Sequence, residues 1–319
     1  MAFRVFATGS GLLKEAQDFL KSEGCILEQG DPADSPTDIA RKLARFSADA
    51  LIVRQGKIDD NVIGASANLK VICKHGTGTD NIDIEAASRR NIPVMYTPDA
   101  NYDCVAEHTL GLILSLLRKI PSQDSRIRRG EFDKKGFNGQ ELLGRTLGLV
   151  GFGRIARRLS QLVAPFNVTI VVYHPSCTKE TTTPHVSKVS SLDEVLSQSD
   201  IVSLHLPLLP ETTGLIDSRA LCKMKKSAYL INTSRGPIVN EDHLIKALQD
   251  GQIAGAALDT FEVEPIPADS PLRQLDNVVM TMHTAGNSDA SLWNMAMGSA
   301  QNILAALRNQ PLNPHFMLN

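Results

Sequence analysis

The stretch Thr146–Leu159, with the sequence TLGLVGFGRIARRL, decides the fold of this chain. An apolar run leads into Gly151-Phe152-Gly153, and a helical pattern begins at Arg154, which predicts a strand, a tight turn and a helix. Gly151 lets the turn close, Gly153 lets the backbone approach a bulky anion, and Ala156 lets helix and strand pack closely. The N-terminus of such a helix suits a pyrophosphate, because it offers unpaired N–H groups and a partial positive charge. An ordinary glycine turn is the alternative.

Length, charge and cysteine content limit the classes of protein to which the chain can belong. The chain has 319 residues, a length for which two domains are expected, and its 42% hydrophobic and 21% charged residues are typical of a globular enzyme. A net charge of −2 without a basic stripe argues against nucleic acid as a partner. No apolar run approaches the ~20 residues of a membrane span, so no membrane association is expected. Five scattered cysteines without a CxxC motif indicate reduced thiols, a cytoplasmic location and no metal site.

Short apolar runs alternate with helical patterns from Phe3 to Tyr96, and a second alternation begins at Thr146. Alternation of this kind predicts parallel strands covered by helices on both faces of the sheet. The predicted fold class is therefore α/β, with two doubly wound parallel-sheet domains.

The segments between and after the two alternations set the predicted domain bounds. A long apolar helix is predicted from Tyr102 to Ile120, closed by Pro121, and the charged segment Ser125–Gly139 is predicted to be an exposed arm. The helical pattern Ser288–Leu307 is predicted to return to the first domain, because the second sheet is already complete. The predicted domains are residues 1–100 with 288–319, for the substrate, and residues 101–287, for a dinucleotide, with a hinge and a cleft between them.

Polar residues follow three predicted strands of the second domain. Arg235 comes shortly after the strand that ends at Asn232, while Asp259 and His283 each directly follow a strand. If these strands are parallel, all three residues lie on the same sheet edge as the glycine loop. Together with Glu264, they predict hydride transfer between a dinucleotide and a hydroxyl next to a carboxylate.

Each residue of this cluster has a chemical role in that hypothesis. His283 takes or returns the hydroxyl proton, and Glu264 orients the imidazole and favours its protonated form. Arg235 binds the substrate carboxylate with two hydrogen bonds, and Asp259 accepts from the nicotinamide carboxamide. Taken singly, each residue has a structural explanation: His283 as a loop histidine, Glu264 as a solvated glutamate and Arg235 as an arginine that caps a turn. Their joint occurrence on one edge favours catalysis.

Two strands of the first domain end in cations, Arg54 and Lys74. After Lys74 comes a glycine-rich turn, His75–Asn81, and its N–H groups from Gly76 to Gly78 are predicted to hold a carboxylate. A surface turn with solvated basic residues explains the same pattern.

The residue after the second strand of the cofactor domain bears on the cofactor. An acidic residue that binds the ribose hydroxyls is expected there, ~20 residues past the glycines. The chain has His174 instead, followed by Pro175-Ser176. A 2′-phosphate would not be repelled at this position, and Ser176, Lys179 or Arg154 could contact it. NAD and NADP therefore both stay open.

Several segments together resemble the D-isomer-specific 2-hydroxyacid dehydrogenase family, and within it the D-3-phosphoglycerate dehydrogenase branch. They cover nearly the whole chain and comprise KHGTGTDNIDIEAASRRNIPVMYTPDANYDCVAEH, ELLGRTLGLVGFGRIARRL, SLHLPLLPETTGLI, INTSRGPIVNEDHLIKAL, GAALDTFEVEP and the segment around His283. The resemblance implies a flavodoxin-like substrate domain, a Rossmann cofactor domain and NAD or NADP as cofactor. It also implies a small anionic 2-hydroxy or 2-oxo acid as substrate, and a homodimer joined through the cofactor domain, in which the arm Ser125–Gly139 takes part.

The resemblance further implies site residues at the matching positions. The implied catalytic residues are Arg235, Glu264 and His283. The implied cofactor-binding residues are Thr77, Gly151, Gly153, Arg154, Ile155, His174, Leu206, Pro207, Thr233, Ser234, Asp259 and Gly286. The implied substrate-binding residues are Arg54, Lys74, Gly76, Thr77, Gly78 and Arg235.

Within this family, Arg54 and Lys74 favour a substrate with a second anionic group, 3-phosphoglycerate or 3-phosphohydroxypyruvate. The alternative is a glyoxylate/hydroxypyruvate reductase. A dinucleotide-sensing scaffold is disfavoured because the catalytic set is intact, and formate dehydrogenases have Gln where Glu264 stands. Besides His174, the chain departs from the family at Met282, where a proline commonly precedes the histidine. Because the sequence ends at Asn319, no regulatory domain and no serine feedback are expected.

Overall fold

The computed structural model describes residues 2–135, 137–174 and 186–319. The chain forms two compact units, one comprising Met1–Asn101 with Asn287–Asn319 and the other Tyr102–Gly286. Each unit contains one sheet, and every neighbouring pair of strands within it is parallel. The predicted α/β class with two parallel sheets is therefore confirmed.

The sheet of the first unit has the order β2-β1-β3-β4-β5. Its strands are β1 (Arg4–Ala7), β2 (Ile26–Gln29), β3 (Ala50–Val53), β4 (Val71–Lys74) and β5 (Val94–Met95). This is the flavodoxin-like order. The helices between the strands are α1 (Lys14–Ser22), α2 (Pro36–Phe46), α3 (Asp60–Gly64) and α4 (Ile84–Arg89). The side chains of Ser35, Asp59 and Asp83 accept N–H groups of the first turns of α2, α3 and α4, which fixes where these helices begin.

The second unit begins with two helices and then a seven-stranded sheet. The helices are α5 (Tyr102–Leu117), α6 (Ile120–Arg128), α7 (Arg154–Val163), α8 (Leu192–Gln198), α9 (Ser218–Lys223) and α10 (Glu241–Gln249). The strands are β6 (Thr146–Val150), β7 (Thr169–Tyr173), β8 (Val186–Lys188), β9 (Ile201–Leu204), β10 (Tyr229–Asn232), β11 (Gly255–Leu258) and β12 (Val278–Met280). α5 packs against α7, and Leu112, Leu149 and Leu159 lie in one buried cluster.

The strand order of the second sheet is β12-β11-β10-β9-β6-β7-β8. The chain runs outward from β6 to β8 and then crosses back to β9, so the direction reverses between β6 and β9. This is the Rossmann arrangement, in which ligands bind outside the carboxyl ends of the strands at the reversal point. The glycine turn after β6 lies at that point.

The last helix, α11 (Asp289–Leu307), belongs to the first unit. Ser288 begins it with a capping box, and Ala296, Ile303 and Leu307 are buried in one cluster with residues of β1, β3 and β4. Across the described ranges, none of the helices combines the length and the apolar character needed to cross a membrane.

Two details of the predicted elements are wrong. The helix predicted to reach Ile120 ends at Leu117, because Lys119 adopts a left-handed backbone, and Pro121 lies in the first turn of α6 rather than closing α5. The predicted arm is therefore helical up to Arg128, although α6 buries none of its residues. Strand β8 was not expected, because this short edge strand is mostly exposed and has no apolar run.

Candidate functional site

The turn after β6 is shaped by Gly151. Its φ of +93° lies in the left-handed region that favours glycine, and a Cβ would lie 2.3 Å from the His205 carbonyl oxygen and 3.0 Å from Leu206 Cδ2. The Gly151 N–H donates to the Tyr173 carbonyl at 2.8 Å. The turn is thus wedged between the carboxyl ends of β7 and β9, where no larger residue fits.

Gly153 has a different reason to be glycine. Its φ is −78°, and no atom lies within 4 Å of the position that a Cβ would take. It is the N-cap of α7 and has no side chain to accept the N–H groups of the first turn, which begins at the exposed Arg154 and the partly buried Ile155. A pyrophosphate fits these residues, because a Cβ at Gly153 would fill the space next to the helix N-terminus. Ala156 is fully buried, as close packing of helix and strand requires.

A pocket of about 470 Å³ lies at the carboxyl end of β7. The described residues that line it are Tyr173, His174, Lys188, Val189 and Ser190. Burial lowers the pKa of His174, and the nearby charges of Lys188 and Arg157 lower it further. The described lining is therefore basic and holds no carboxylate. Ser176 and Lys179, which were predicted to contact a 2′-phosphate, lie outside the described residues.

The turn after β10 holds Arg235 through its neighbours. The buried Asn232 side chain donates to the Arg235 carbonyl at 2.9 Å and accepts from the Ser234 N–H at 3.0 Å. Gly236 packs directly on the turn after β11, since a Cβ there would lie 1.8 Å from the Phe261 carbonyl oxygen. Only glycine at this position lets the two turns meet, and the segment that carries Glu264 follows.

Glu264 and His283 form a direct pair at the same edge of the sheet. His283 Nδ1 lies 2.8 Å from Glu264 Oε2, and Glu264 Oε1 accepts from the Phe261 N–H at 3.0 Å. Burial raises the pKa of the Glu264 carboxyl, but the bonds from His283 and Phe261 and the charge of Arg235 hold it below its ordinary value. The structure therefore brings Arg235, Glu264 and His283 together at this edge.

Asp259 supports the loop that carries His283. It is 1% exposed, and its two oxygens accept from the Thr281 hydroxyl at 2.5 Å and from the N–H groups of Thr284 and Ala285 at 2.9 Å each. The carboxylate was predicted to accept from a nicotinamide carboxamide. The geometry shows instead that most of its acceptor capacity serves the loop, and contact with a carboxamide stays a prediction.

The other predicted cofactor residues of the second unit lie along the same edge. The Thr233 hydroxyl is 3.0 Å from Thr109 Oγ1, and Ser234 donates its hydroxyl to the Leu204 carbonyl. Pro207 is exposed, and its carbonyl accepts from Thr212 at 2.7 Å. Gly286 is the partly buried last residue of the unit.

The predicted substrate residues of the first unit follow β3 and β4. Arg54 donates to the Ser10 carbonyl, and its buried Nε has no acceptor among the described residues. Lys74 Nζ donates to Asn81 Oδ1 at 2.9 Å. Nearby, burial and the charges of Arg54 and Lys74 lower the pKa of His75 to about 4.

The turn after Lys74 differs in part from the prediction. The Gly76 N–H donates to Thr97 Oγ1 at 2.9 Å, so it is not available to a carboxylate, and the φ of +124° explains the glycine instead. Thr77 donates its hydroxyl to Asn101 Oδ1 at 2.8 Å. Binding of a carboxylate by the N–H groups of Thr77 and Gly78 stays a prediction.

Comparison with known proteins identifies the family. Residues 110–285 match the family model described as the NAD binding domain of D-isomer specific 2-hydroxyacid dehydrogenases. The chain belongs to the D-isomer specific 2-hydroxyacid dehydrogenase family. The family resemblance predicted from the motifs is therefore confirmed, and the chain is an NAD(P)-dependent oxidoreductase of small 2-hydroxy or 2-oxo acids.

Similarity to individual dehydrogenases extends along most of the chain. It is 42% identical to a glyoxylate reductase of Thermofilum pendens, over 95% of this chain and 89% of that protein. It is 36% identical to a D-3-phosphoglycerate dehydrogenase of Archaeoglobus fulgidus, over 94% of this chain but only 56% of that protein. An NADPH-dependent glyoxylate/hydroxypyruvate reductase from Sinorhizobium meliloti, solved with NADP and malonate, aligns with a TM-score of 0.88 and 26% identity over 100% of this chain and 97% of that one.

Sequence reasoning missed several residues that lie next to the predicted site. His205 directly follows β9, and its Nε2 lies 2.9 Å from Ser203 Oγ. The rule that found Arg235, polar residues after a buried strand, also applies to His205. His108 and Thr281 contact the Asp259 network, and no local pattern signals that contact because His108 lies on α5. Among the described residues, no group of His, Cys, Asp and Glu side chains could hold a metal ion.

Proposed function

We propose that this dehydrogenase reduces glyoxylate or hydroxypyruvate with NADPH. The observation that carries the proposal is the pair of His283 and Glu264, 2.8 Å apart, with Arg235 close enough to lower the pKa of the carboxyl. The choice of substrate is supported by the glyoxylate reductase that is 42% identical along 89% of its length.

The chain's own residues supply proton transfer and orientation in this reaction. Arg235 binds the substrate carboxylate with two hydrogen bonds and polarises the adjacent carbonyl. Because Nδ1 of His283 faces Glu264, its Nε2 is the atom that donates a proton to the carbonyl oxygen. A nicotinamide cofactor held at the glycine turn would supply the hydride for the carbonyl carbon. In the oxidation direction, the same Nε2 takes the hydroxyl proton.

Preference for NADPH is proposed from the pocket at the end of β7. His174 stands where a carboxylate would bind the ribose hydroxyls of NAD, and Lys188 and Arg157 are close enough to lower its pKa. A 2′-phosphate carries a negative charge and several acceptor oxygens, which suit this basic lining. Ser190 in the same lining donates its hydroxyl and its N–H to Glu194, so the proposal rests on His174, Lys188 and Arg157.

A second candidate substrate, 3-phosphohydroxypyruvate, is favoured by one observation in the first unit. The buried Nε of Arg54 has no acceptor in the described part of the chain, and burial lowers the pKa of this guanidinium. An anionic group that accepted from Nε would remove this cost. The D-3-phosphoglycerate dehydrogenases at 36% identity agree with this alternative.

A rate assay with three substrates and two cofactors tests these proposals. Oxidation of NADPH and of NADH is followed by absorbance with glyoxylate, hydroxypyruvate and 3-phosphohydroxypyruvate side by side. We expect the highest kcat/KM for NADPH with one of the first two acids. His174→Asp should then shift the NADPH/NADH ratio of kcat/KM toward NADH by roughly tenfold, about 1.4 kcal/mol, because the new carboxylate repels a 2′-phosphate. An unchanged ratio would show that His174 does not set the preference.

We also propose that a second copy of this chain packs on the segment Ile120–Leu143, which contains the predicted arm Ser125–Gly139 and is called the arm from here on. α6 buries none of its residues, and Ile127 is 54% and Phe132 79% exposed. Standard interfaces use ~20–30 residues a side, which is the size of the arm. The family resemblance, which implies a homodimer joined through the cofactor domain, supports this proposal.

A further inference from the structure

The loop that carries His283 holds a conformation that its own backbone does not favour. The φ of His283 is +53°, in the left-handed region where a residue with a side chain is strained. The strand before it, β12, ends at Met280, and the Thr281 N–H makes the last ladder bond, to the Leu258 carbonyl at 2.9 Å. Something other than the sheet must therefore hold the loop beyond Thr281.

The buried carboxylate of Asp259 supplies part of that hold. Oδ1 accepts from the Thr281 hydroxyl and from the Thr284 N–H, and Oδ2 accepts from the Ala285 N–H. These donors lie on both sides of His283. The loop is thus wrapped around one carboxylate, and the His283 side chain is left on the outside, where it meets Glu264.

Side chains of helix α5 contact both ends of the same loop. His108 Nε2 lies 3.1 Å from Thr281 Oγ1, and one helical turn earlier Cys104 Sγ donates to the Ala285 carbonyl at 3.1 Å. A carboxylate only accepts, so the Thr281 hydroxyl gives its hydrogen to Asp259 and must accept from His108. This places a proton on Nε2 of His108 and joins α5 to Asp259 through Thr281, while Nε2 itself lies 3.7 Å from Asp259 Oδ1.

We infer that His108 and Thr281 are positioning residues of the reaction: through Asp259 they hold the loop 281–285 in the strained conformation that presents His283 to Glu264. Neither side chain carries a reacting atom. The inference rests on the proposed role of His283, and it assigns a function to one face of α5, more than 170 residues away in the chain from Thr281.

Two matched pairs of variants test the inference. Thr281→Val removes the hydroxyl and keeps the shape, whereas Thr281→Ser keeps the hydroxyl. His108→Leu removes the donor, whereas His108→Gln keeps an N–H that can reach Thr281. Thr169→Val is the control for a threonine lost elsewhere, because Thr169 is the exposed first residue of β7 at the opposite edge of the sheet. His108→Leu also serves as the test if Thr281→Val does not fold.

The first readout is hydrogen exchange of the apo protein in peptides that span residues 280–287. Thr281→Val and His108→Leu should exchange faster there. The Thr284 and Ala285 amides donate to Asp259, and in these variants Thr281 no longer holds that carboxylate in place. Thr281→Ser, His108→Gln and Thr169→Val should match the unaltered protein. The exchange experiment needs no substrate, so it tests the inference even if none of the three 2-oxo acids is reduced. That result would overturn the proposed function alone.

The second readout is the pH profile of kcat. A misplaced His283 should lower kcat by up to ~10²-fold with little change in KM. Its bond helps to hold the pKa of Glu264 below the ordinary value of 4.5, so losing that bond lets burial raise this pKa and moves the acid limb to higher pH. Normal kcat and a normal acid limb in Thr281→Ser would support the inference. Normal exchange, an unmoved acid limb and normal kcat in Thr281→Val and His108→Leu would overturn it.

Discussion

His283 combines a strained backbone with a direct carboxylate partner, and this combination supports its proposed role as the acid and base of the site. Strain of this kind persists where the surrounding structure enforces it, often next to reacting groups. His205 has neither feature, since its backbone is not left-handed and its ring contacts the Ser203 hydroxyl, and burial lowers its pKa to about 4. Compared with His205, His283 is thus better placed for proton transfer, because its ring contacts a carboxylate.

We expect His283→Ala to lower kcat by ~10²–10⁴-fold, the range for loss of a general acid or base. The affinity for NADPH, measured by fluorescence titration, should stay near that of the unaltered enzyme, because the pyrophosphate cradle is far along the edge at Gly153. His243→Ala, which removes an imidazole from the outer helix α10, is the control and should keep its turnover. Full turnover in His283→Ala would exclude His283 as the acid.

Residue by residue, the site could be predicted where a polar side chain lies within three residues of the end of a strand. That rule found Arg235, Asp259 and His283, because the parallel order of β10, β11 and β12 brings their ends to one edge. It could not assign hydrogen bonds. The Gly76 N–H is taken by Thr97, 21 residues later, and that partner depends on tertiary packing, which no local pattern reveals.

At the level of elements, alternation predicted most strands, and the misses have physical causes. β8 is three residues long and mostly exposed, so it has no apolar periodicity to detect. The boundary between α5 and α6 depends on the left-handed backbone of Lys119, a choice that local propensity does not favour. Both exceptions lie at the margins of the second unit, whereas the strand–turn–helix element at Gly151 followed the predicted pattern.

The two glycines of that element should respond differently to alanine. Gly151→Ala should destabilise the fold by at least about 1–2 kcal/mol, the cost of a left-handed alanine, before the clash with the His205 carbonyl is added. Gly153→Ala meets open space at an ordinary φ, so its Tm should be unchanged or slightly higher. Its affinity for NADPH should nevertheless fall roughly tenfold or more, about 1.4 kcal/mol, because the methyl group enters the pyrophosphate cradle. Thermal unfolding and fluorescence titration separate the two effects, and unchanged NADPH affinity in Gly153→Ala would place the pyrophosphate elsewhere.

At the scale of the whole molecule, the arm is an exposed surface that a partner is expected to cover. A protein that exposes Ile120, Ile127, Phe132 and Leu143 in one segment carries an apolar surface of the kind that marks an interaction site. Basic and acidic residues are interleaved there, and Arg126 pairs with Glu131 at 2.6 Å. A mixed apolar and charged surface that pairs with a second copy of itself fits this composition better than an anionic ligand does.

We therefore expect Phe132→Glu to convert a dimer into a monomer. Phe132 is 79% exposed, so the substitution should leave the fold of each chain intact, while a buried carboxylate in a copy-to-copy interface costs several kcal/mol. Ile26→Glu, at a 46% exposed apolar residue of β2 in the first unit, is the matched control and should leave the mass unchanged. Sedimentation velocity at micromolar concentration measures both. A chain that is monomeric without substitution, or a dimer that survives Phe132→Glu, would contradict an interface at the arm, whereas kcat of the monomer would show whether each chain holds a complete site.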